Sequence, residues 1–136
     1  MRAVLDTNVV VSGLFFGGVP RAILDLVADG AFEFVLSPAI LDEYDRTYDR
    51  LAAGHPELHR RHPLLELLAY GTLVPDPAAQ PTITRDAEDD KFMLCARDAG
   101  AVVVSGDGHL LEVSGWEGVR VLTPRAFLNH LTDEGT

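Results

Sequence analysis

The chain has 136 residues, 47% of them hydrophobic, and is expected to form a single domain over residues 1–136 with one sizeable core. Its net charge of −10 excludes a protein that binds nucleic acid through a broad basic surface, although metal ions could still bring such a substrate to an acidic site. The single cysteine excludes an internal disulfide, and the lack of a long apolar run or signal-peptide pattern predicts a cytoplasmic protein without membrane contact.

Five short apolar segments have the pattern of buried strands. The first begins almost at the first residue and is apolar at consecutive positions, which is typical of a parallel sheet covered on both faces. The fourth, which reads Ala-Val-Val-Val-Ser, is the clearest of them. The predicted strands are residues 3–5, 32–36, 72–74, 101–105 and 119–122.

Helical sequence lies between most of these strands. Ser37 and Pro38 suit the N-cap and first turn of one helix, whereas residues 7–16 are too short and mixed to assign. Residues 75–84 predict an ordered loop and residues 106–108 a tight turn. Helices are predicted from Pro20 to Gly30, from Ser37 to Gly54, from His59 to Tyr70 with a kink near Pro63, from Glu88 to Gly100, and from Pro124 onwards. This alternation predicts an α/β fold with a parallel sheet.

Acidic residues directly follow two of the predicted buried strands. Asp6 follows the first strand, and Asp107 follows the strand at 101–105. Because parallel strands end at the same edge of a sheet, we expect both carboxylates to lie there. Carboxylate oxygens are the ligands that Mg²⁺ and Mn²⁺ prefer, and such ions activate water in phosphoryl-transfer enzymes. The sequence therefore predicts a divalent-metal site at this edge.

Asp89 and Asp90 compete for a further place in this site. At ~100° per residue, Asp89 lies within about 50° of the apolar face that carries Phe92 and Met93. Asp90 is predicted to point away, on the solvent side with Lys91. We therefore expect Asp89 to face the other acids. The alternative is that acids in this first helical turn serve only to stabilise the helix dipole.

Together these motifs resemble the PIN domain. The resemblance is strongest to PIN proteins described as toxin components of prokaryotic toxin–antitoxin systems, and it covers nearly the whole chain. The matching motifs are Asp6-Thr7-Asn8, Glu43 on the helix after the second strand, Asp86-x-x-Asp89 before Phe92, Ser105-Gly106-Asp107, and residues 122–128.

The resemblance implies a three-layer α/β/α fold and an Mg²⁺- or Mn²⁺-dependent ribonuclease. Asn8 and Ser105 would be polar supports of the site. Asp90 stands where related chains often carry an amide or other polar residue, so the choice between it and Asp89 stays open. It further implies an RNA substrate, a homodimer and a partner antitoxin, and an arginine-bearing antitoxin would suit an acidic toxin. The residues implied to hold the metal and carry catalysis are Asp6, Glu43, Asp89 and Asp107.

Glu43 depends most on the resemblance. It borders the apolar stripe of its helix on one side, and Asp45 borders it on the other, so periodicity permits either to point inward. The family pattern decides for Glu43.

Two other classes of protein compete with this interpretation. A phosphatase of similar fold would carry an aspartate at position 8, where Asn8 stands, and a receiver domain would carry a lysine after a late strand, whereas Lys91 precedes one. A catalytically silent binding module would have no need of all four acids. The nuclease is therefore preferred over both.

The histidines give weaker indications. His55, His59 and His62 have a spacing that can bind zinc, but flanking prolines disturb the helix, and a solvated or locally basic surface is the better explanation. His109 follows Asp107 and is expected to lie at the surface or beside the metal.

Overall fold

A computed structural model of the chain describes residues 1–57, 63–78 and 82–134. Its centre is a sheet of five parallel strands, in the spatial order 71–73, 33–36, 2–5, 102–104 and 121–122, covered by helices in a three-layer α/β/α arrangement. The predicted fold class is therefore confirmed. The strands are β1 (Arg2–Leu5), β2 (Glu33–Leu36), β3 (Gly71–Leu73), β4 (Val102–Val104) and β5 (Val121–Leu122).

Seven α-helices lie in the described part of the chain. Short 3₁₀ turns at Ala87–Asp89 and Trp116–Gly118 add to them. No single helix of the described residues is long and apolar enough to cross a membrane; the helices Thr7–Phe15 and Gly18–Ala28 pass that test only as a pair bent by 96°. The helices are α1 (Thr7–Phe15), α2 (Gly18–Ala28), α3 (Pro38–Ala52), α4 (Pro63–Leu68), α5 (Asp90–Ala99), α6 (Gly108–Leu111) and α7 (Pro124–Glu134).

Most predicted elements are present with small shifts at their ends, and two segments differ. Residues 7–16, left unassigned, form α1, and the predicted turn at 106–108 leads directly into α6. The helix predicted from Glu88 starts as a 3₁₀ turn and becomes α-helical only at Asp90. The predicted kink in 59–70 cannot be compared, because residues 58–62 lie outside the described residues.

The order of the strands creates a switch point beside β1. The chain adds β2 and β3 on one side of β1 and then crosses over to add β4 and β5 on the other. Ligand sites in α/β sheets form at the carboxyl ends of strands where the order reverses in this way. Ala3, Val4 and Leu5 of β1 and the last two residues of β4, Val103 and Val104, are fully buried, so these two strand ends are held firmly by the core.

Gly13 allows α1 and α2 to approach closely. A Cβ atom at this position would lie 2.5 Å from Leu24 Cδ1 and 3.0 Å from the carbonyl oxygen of Pro20. We therefore expect Gly13→Ala to lower the free energy of unfolding by about 1–3 kcal/mol through overpacking, although alanine favours helix. Urea unfolding would measure this. Gly54→Ala, where the nearest atom is 3.9 Å away, is the control, and equal stabilities of the two variants would contradict the expectation.

Candidate metal centre at the sheet edge

Asp6 joins the ends of β1 and β4. Its backbone amide donates to the Val104 carbonyl over 2.9 Å, which continues the parallel ladder by one residue. Its carboxylate is 5% exposed, and Oδ2 accepts a 2.6 Å hydrogen bond from the Ser105 hydroxyl. The two strand ends and the helix α1 that begins at Thr7 therefore fix where this carboxylate lies.

Asp107 is held by the same serine. The Ser105 hydroxyl oxygen accepts a 2.9 Å hydrogen bond from the backbone amide of Asp107 while its proton goes to Asp6. Asp107 is also the N-cap of α6, because its Oδ1 accepts from the backbone amide of His109 over 2.8 Å. Ser105 is fully buried and links the carboxylate of Asp6 to the backbone of Asp107.

Glu43 reaches the cluster from α3. One of its carboxylate oxygens accepts a hydrogen bond from the Thr7 hydroxyl, and the other lies 2.7 Å from the ammonium nitrogen of Lys91. The neighbouring Tyr44 is fully buried, and its hydroxyl donates to the Leu5 carbonyl, which fixes α3 against the end of β1. Asp45 is exposed on the other side of the helix.

Asp90 has a different environment from the one predicted. Its carboxylate is 7% exposed and accepts hydrogen bonds from the Thr84 amide and hydroxyl, both 2.8 Å, and from the Ile83 amide at 3.2 Å. The expectation that Asp90 and Lys91 point to solvent was wrong, because the helical wheel assumed a regular α-helix from residue 88. The 3₁₀ turn and a loop that folds back onto the helix bury both side chains.

Asp89 lies among the other acids. Its Oδ2 is buried and, within the described residues, has no hydrogen-bond partner. Burial, and then the charges of Asp107 and Asp6, raise its pKa from 3.8 to about 7. The pKa of Asp6 is also raised, mainly by burial and against the lowering effect of the Ser105 hydrogen bond, with contributions from Glu43 and Asp107. Both shifts reflect the burial of carboxylates that lie close to one another.

The structure thus places four of the expected site residues in one cluster at the switch point: Asp6, Glu43, Asp89 and Asp107. Ser105, one of the two residues expected to support the site, contacts Asp6 and Asp107. Asn8 is exposed, and its backbone amide stabilises the Asp6 carboxylate. Carboxylate oxygens, one of them buried and unpaired within the described residues, are the donors that Mg²⁺ or Mn²⁺ prefers, so the chemistry of this set suits a divalent ion. Among the described residues, the ligand atoms that already lie close enough to share one ion are those of Asp86, Asp89 and His109.

Two further residues border the cluster. The ligand atoms of Asp86, Asp89 and His109 lie within 4.8 Å of one another. The placement of Asp86 one turn before Asp89 is the sequence signal that could have identified it as part of the site. Of the other histidines, His55 is exposed, and its Nδ1 lies 3.5 Å from Oε1 of Glu57. His59 and His62 are outside the described residues.

Comparisons with known proteins place these features in a family. The model of the PIN domain matches residues 2–109. An uncharacterized protein of Methanocaldococcus jannaschii is 28% identical over 116 residues, which cover 83% of this chain and 75% of the relative.

Two solved structures have a similar fold. VapBC2 from Rickettsia felis, bound to a DNA fragment from its promoter, matches with a TM-score of 0.65 at 14% identity, over 90% of this chain and 98% of that one. The protein PAE2754 of Pyrobaculum aerophilum matches with a TM-score of 0.65 at 15% identity, over 98% of this chain and 90% of that one. At these identities the likeness concerns the fold.

Proposed function

The chain belongs to the PIN-domain family, and from that membership we propose that it is an Mg²⁺- or Mn²⁺-dependent endoribonuclease that hydrolyses phosphodiester bonds of RNA. Nuclease activity is what the family indicates. The observation that carries the metal dependence is the buried, unpartnered Oδ2 of Asp89 among the carboxylates at the switch point. Those charges would not be gathered there without a cation to compensate them.

The proposed catalytic and metal-holding residues are Asp6, Glu43, Asp89 and Asp107. A bound divalent ion would lower the pKa of an attacking water and compensate the charge that develops on the phosphate. Ser105 orients the Asp6 carboxylate and the Asp107 backbone, and Thr7 orients Glu43, so the oxygens need little rearrangement to bind. Asp90 is assigned to the support of the loop at 83–84.

The charge of the protein supports an ion-mediated approach of RNA. With a net charge of −10 the chain repels a phosphate backbone, and clustered carboxylates strengthen that repulsion at the site. A cation held by these carboxylates reverses the sign of the local field. We therefore propose that metal binding is required before the substrate can be held.

We further propose that the protein is the toxin of a toxin–antitoxin pair, cytoplasmic and homodimeric. The similar Rickettsia felis structure is that of a VapBC2 complex with promoter DNA. A basic antitoxin would be complementary to a chain of charge −10 and could cover the carboxylate edge.

A cleavage assay tests the nuclease proposal. The full chain, freed of any partner, is incubated with a labelled single-stranded RNA in Mn²⁺, in Mg²⁺ or in EDTA, alongside Asp107→Asn. We expect cleavage only with a divalent ion, and a loss of at least about 100-fold in the variant, because it removes an acid from the proposed machinery.

The same assay contains its own controls. A DNA strand of the same sequence separates ribonuclease from general nuclease activity. Cleavage that persists in EDTA, or that Asp107→Asn leaves unchanged, would contradict the proposed mechanism and point to a contaminating enzyme.

A further inference from the structure

Lys91 is the only lysine in the sequence, and it lies beside the carboxylate cluster. Its side chain is 15% exposed. Its ammonium nitrogen is 2.7 Å from Glu43 Oε1, 2.6 Å from the carbonyl oxygen of Glu88 and 3.4 Å from a carboxylate oxygen of Glu88. The two contacts with Glu88 are hydrogen bonds, and the contact with Glu43 is an ion pair, so the ammonium group is surrounded by acceptors of the protein itself.

Glu43 is consequently held on both of its oxygens. The ammonium group of Lys91 forms an ion pair with Oε1, and the hydroxyl of Thr7 donates a hydrogen bond to Oε2. Asp89 contrasts with it, since its buried Oδ2 has no partner within the described residues. The cluster therefore has one part in which charge is already compensated and another in which it is not.

We propose that Lys91 is a positioning residue whose ammonium takes the place of a second divalent ion beside Glu43, so that the site binds one ion, on the side of Asp6, Asp89 and Asp107. Glu43, named above among the residues that hold the metal, then contributes its negative charge to the site without being a direct ligand of that ion. This role rests on the proposed metal-dependent function. Ions in two-metal sites lie about 3.5–4 Å apart and share carboxylates between them. A fixed positive charge 2.7 Å from Glu43 both occupies that oxygen and repels a divalent ion from it.

A phosphate-binding role for Lys91 is less compatible with these contacts. Such a lysine presents free N–H groups to the substrate, whereas the donors of Lys91 are directed at Glu43 and Glu88. The small exposed fraction of its side chain also leaves little access for a backbone phosphate. The charge of Lys91 therefore compensates the negative charges of Glu43 and Glu88 within the protein.

Counting bound ions tests the role of Lys91 without relying on activity. Metal-free full chain is titrated with Mn²⁺ by calorimetry, and the bound ions are followed by electron paramagnetic resonance, which detects coupling between neighbouring Mn²⁺ ions. We expect one ion per chain and an uncoupled signal in the wild type. Lys91→Met should bind a second ion and show coupling, because Glu43 is released.

Matched variants separate charge from structure. Lys91→Arg keeps the charge and should still bind one ion. Arg21→Met, which removes an exposed cation that pairs with Asp25 on α2, should behave as the wild type. If Lys91→Met does not fold by circular dichroism, Lys91→Gln replaces it, since glutamine can still donate to Glu43 without a charge.

The outcomes distinguish this inference from the proposed function. Two ions in the wild type, or one ion in folded Lys91→Met or Lys91→Gln, would overturn the role of Lys91 and leave the nuclease proposal standing. A wild type that binds no divalent ion would overturn both.

Discussion

Asp6→Asn should abolish RNA cleavage, by at least about 100-fold, and raise the stability of the metal-free protein. The variant loses a charged ligand of the proposed metal site. It keeps one side-chain oxygen to accept the Ser105 hydrogen bond. It also removes a charge whose burial, and whose repulsion with Glu43 and Asp107, raise the pKa of Asp6.

The stability gained in Asp6→Asn should depend on pH in a defined direction. Burial raises the pKa of Asp6 in the folded state above the ordinary value of 3.8, so the unfolded state ionises first as pH rises. The wild type therefore loses stability as pH rises above that value, and the gain from Asp6→Asn should appear at pH 7 and vanish at about pH 3.

Thermal unfolding in EDTA at the two pH values, with a parallel Mn²⁺ titration, measures both effects. The exposed Asp49→Asn is the matched control, since it removes the same charge away from the cluster. Unchanged affinity for Mn²⁺ in Asp6→Asn would contradict the proposed site, whatever the change in stability.

Asp89→Asn and Asp90→Asn should have opposite effects although the residues are adjacent. Asp89→Asn is expected to lose cleavage by at least about 100-fold, because it removes the unpartnered carboxylate from the cluster. Asp90→Asn should retain cleavage in its folded fraction. It should instead lose about 1–3 kcal/mol of stability, because its amide nitrogen would face buried N–H donors of Ile83 and Thr84.

The stabilities of the metal-free Asp89→Asn and Asp90→Asn variants should also change in opposite directions relative to the wild type. The pKa of Asp89 is about 7 in the folded protein, against an ordinary value of 3.8, so its contribution to stability is full below pH 3.8 and is lost as pH rises towards 7. Asp89→Asn should therefore be more stable than the wild type at pH 7 in EDTA. Urea unfolding beside the cleavage assay measures both quantities. Loss of activity in folded Asp90→Asn, with activity kept in Asp89→Asn, would reverse the assignment.

The placement of Asp6 and Asp107 could be predicted because it follows from the sheet alone. Asp6 directly follows β1, and Asp107 lies shortly after the end of β4, and the ends of such parallel strands share one edge. Glu43 could not be chosen over Asp45 from periodicity, and the family pattern was needed. In the structure the choice depends on the Tyr44 hydrogen bond to Leu5, a contact between residues far apart in sequence.

Asp90, Lys91 and Gly13 show where sequence reasoning fails. A helical wheel places residues relative to one helix axis, but the 3₁₀ turn at Ala87–Asp89 breaks that axis. The partners of Asp90 lie in a loop whose path no local pattern encodes, and they bury a side chain assigned to solvent. The contact of Gly13 with Leu24 likewise depends on how two helices pack.

Asp6 and Ser105 follow β1 and β4 with no residue in between, and this limits which sequence changes the site can tolerate. The amides of Asp6 and Ser105 still bond to neighbouring strands, at Val104 and Leu122, so both residues share the alternation of the sheet. One inserted residue before either of them would turn its side chain to the opposite face. New substrate preferences must therefore arise in segments that approach from outside the sheet, such as residues 82–89 and α3.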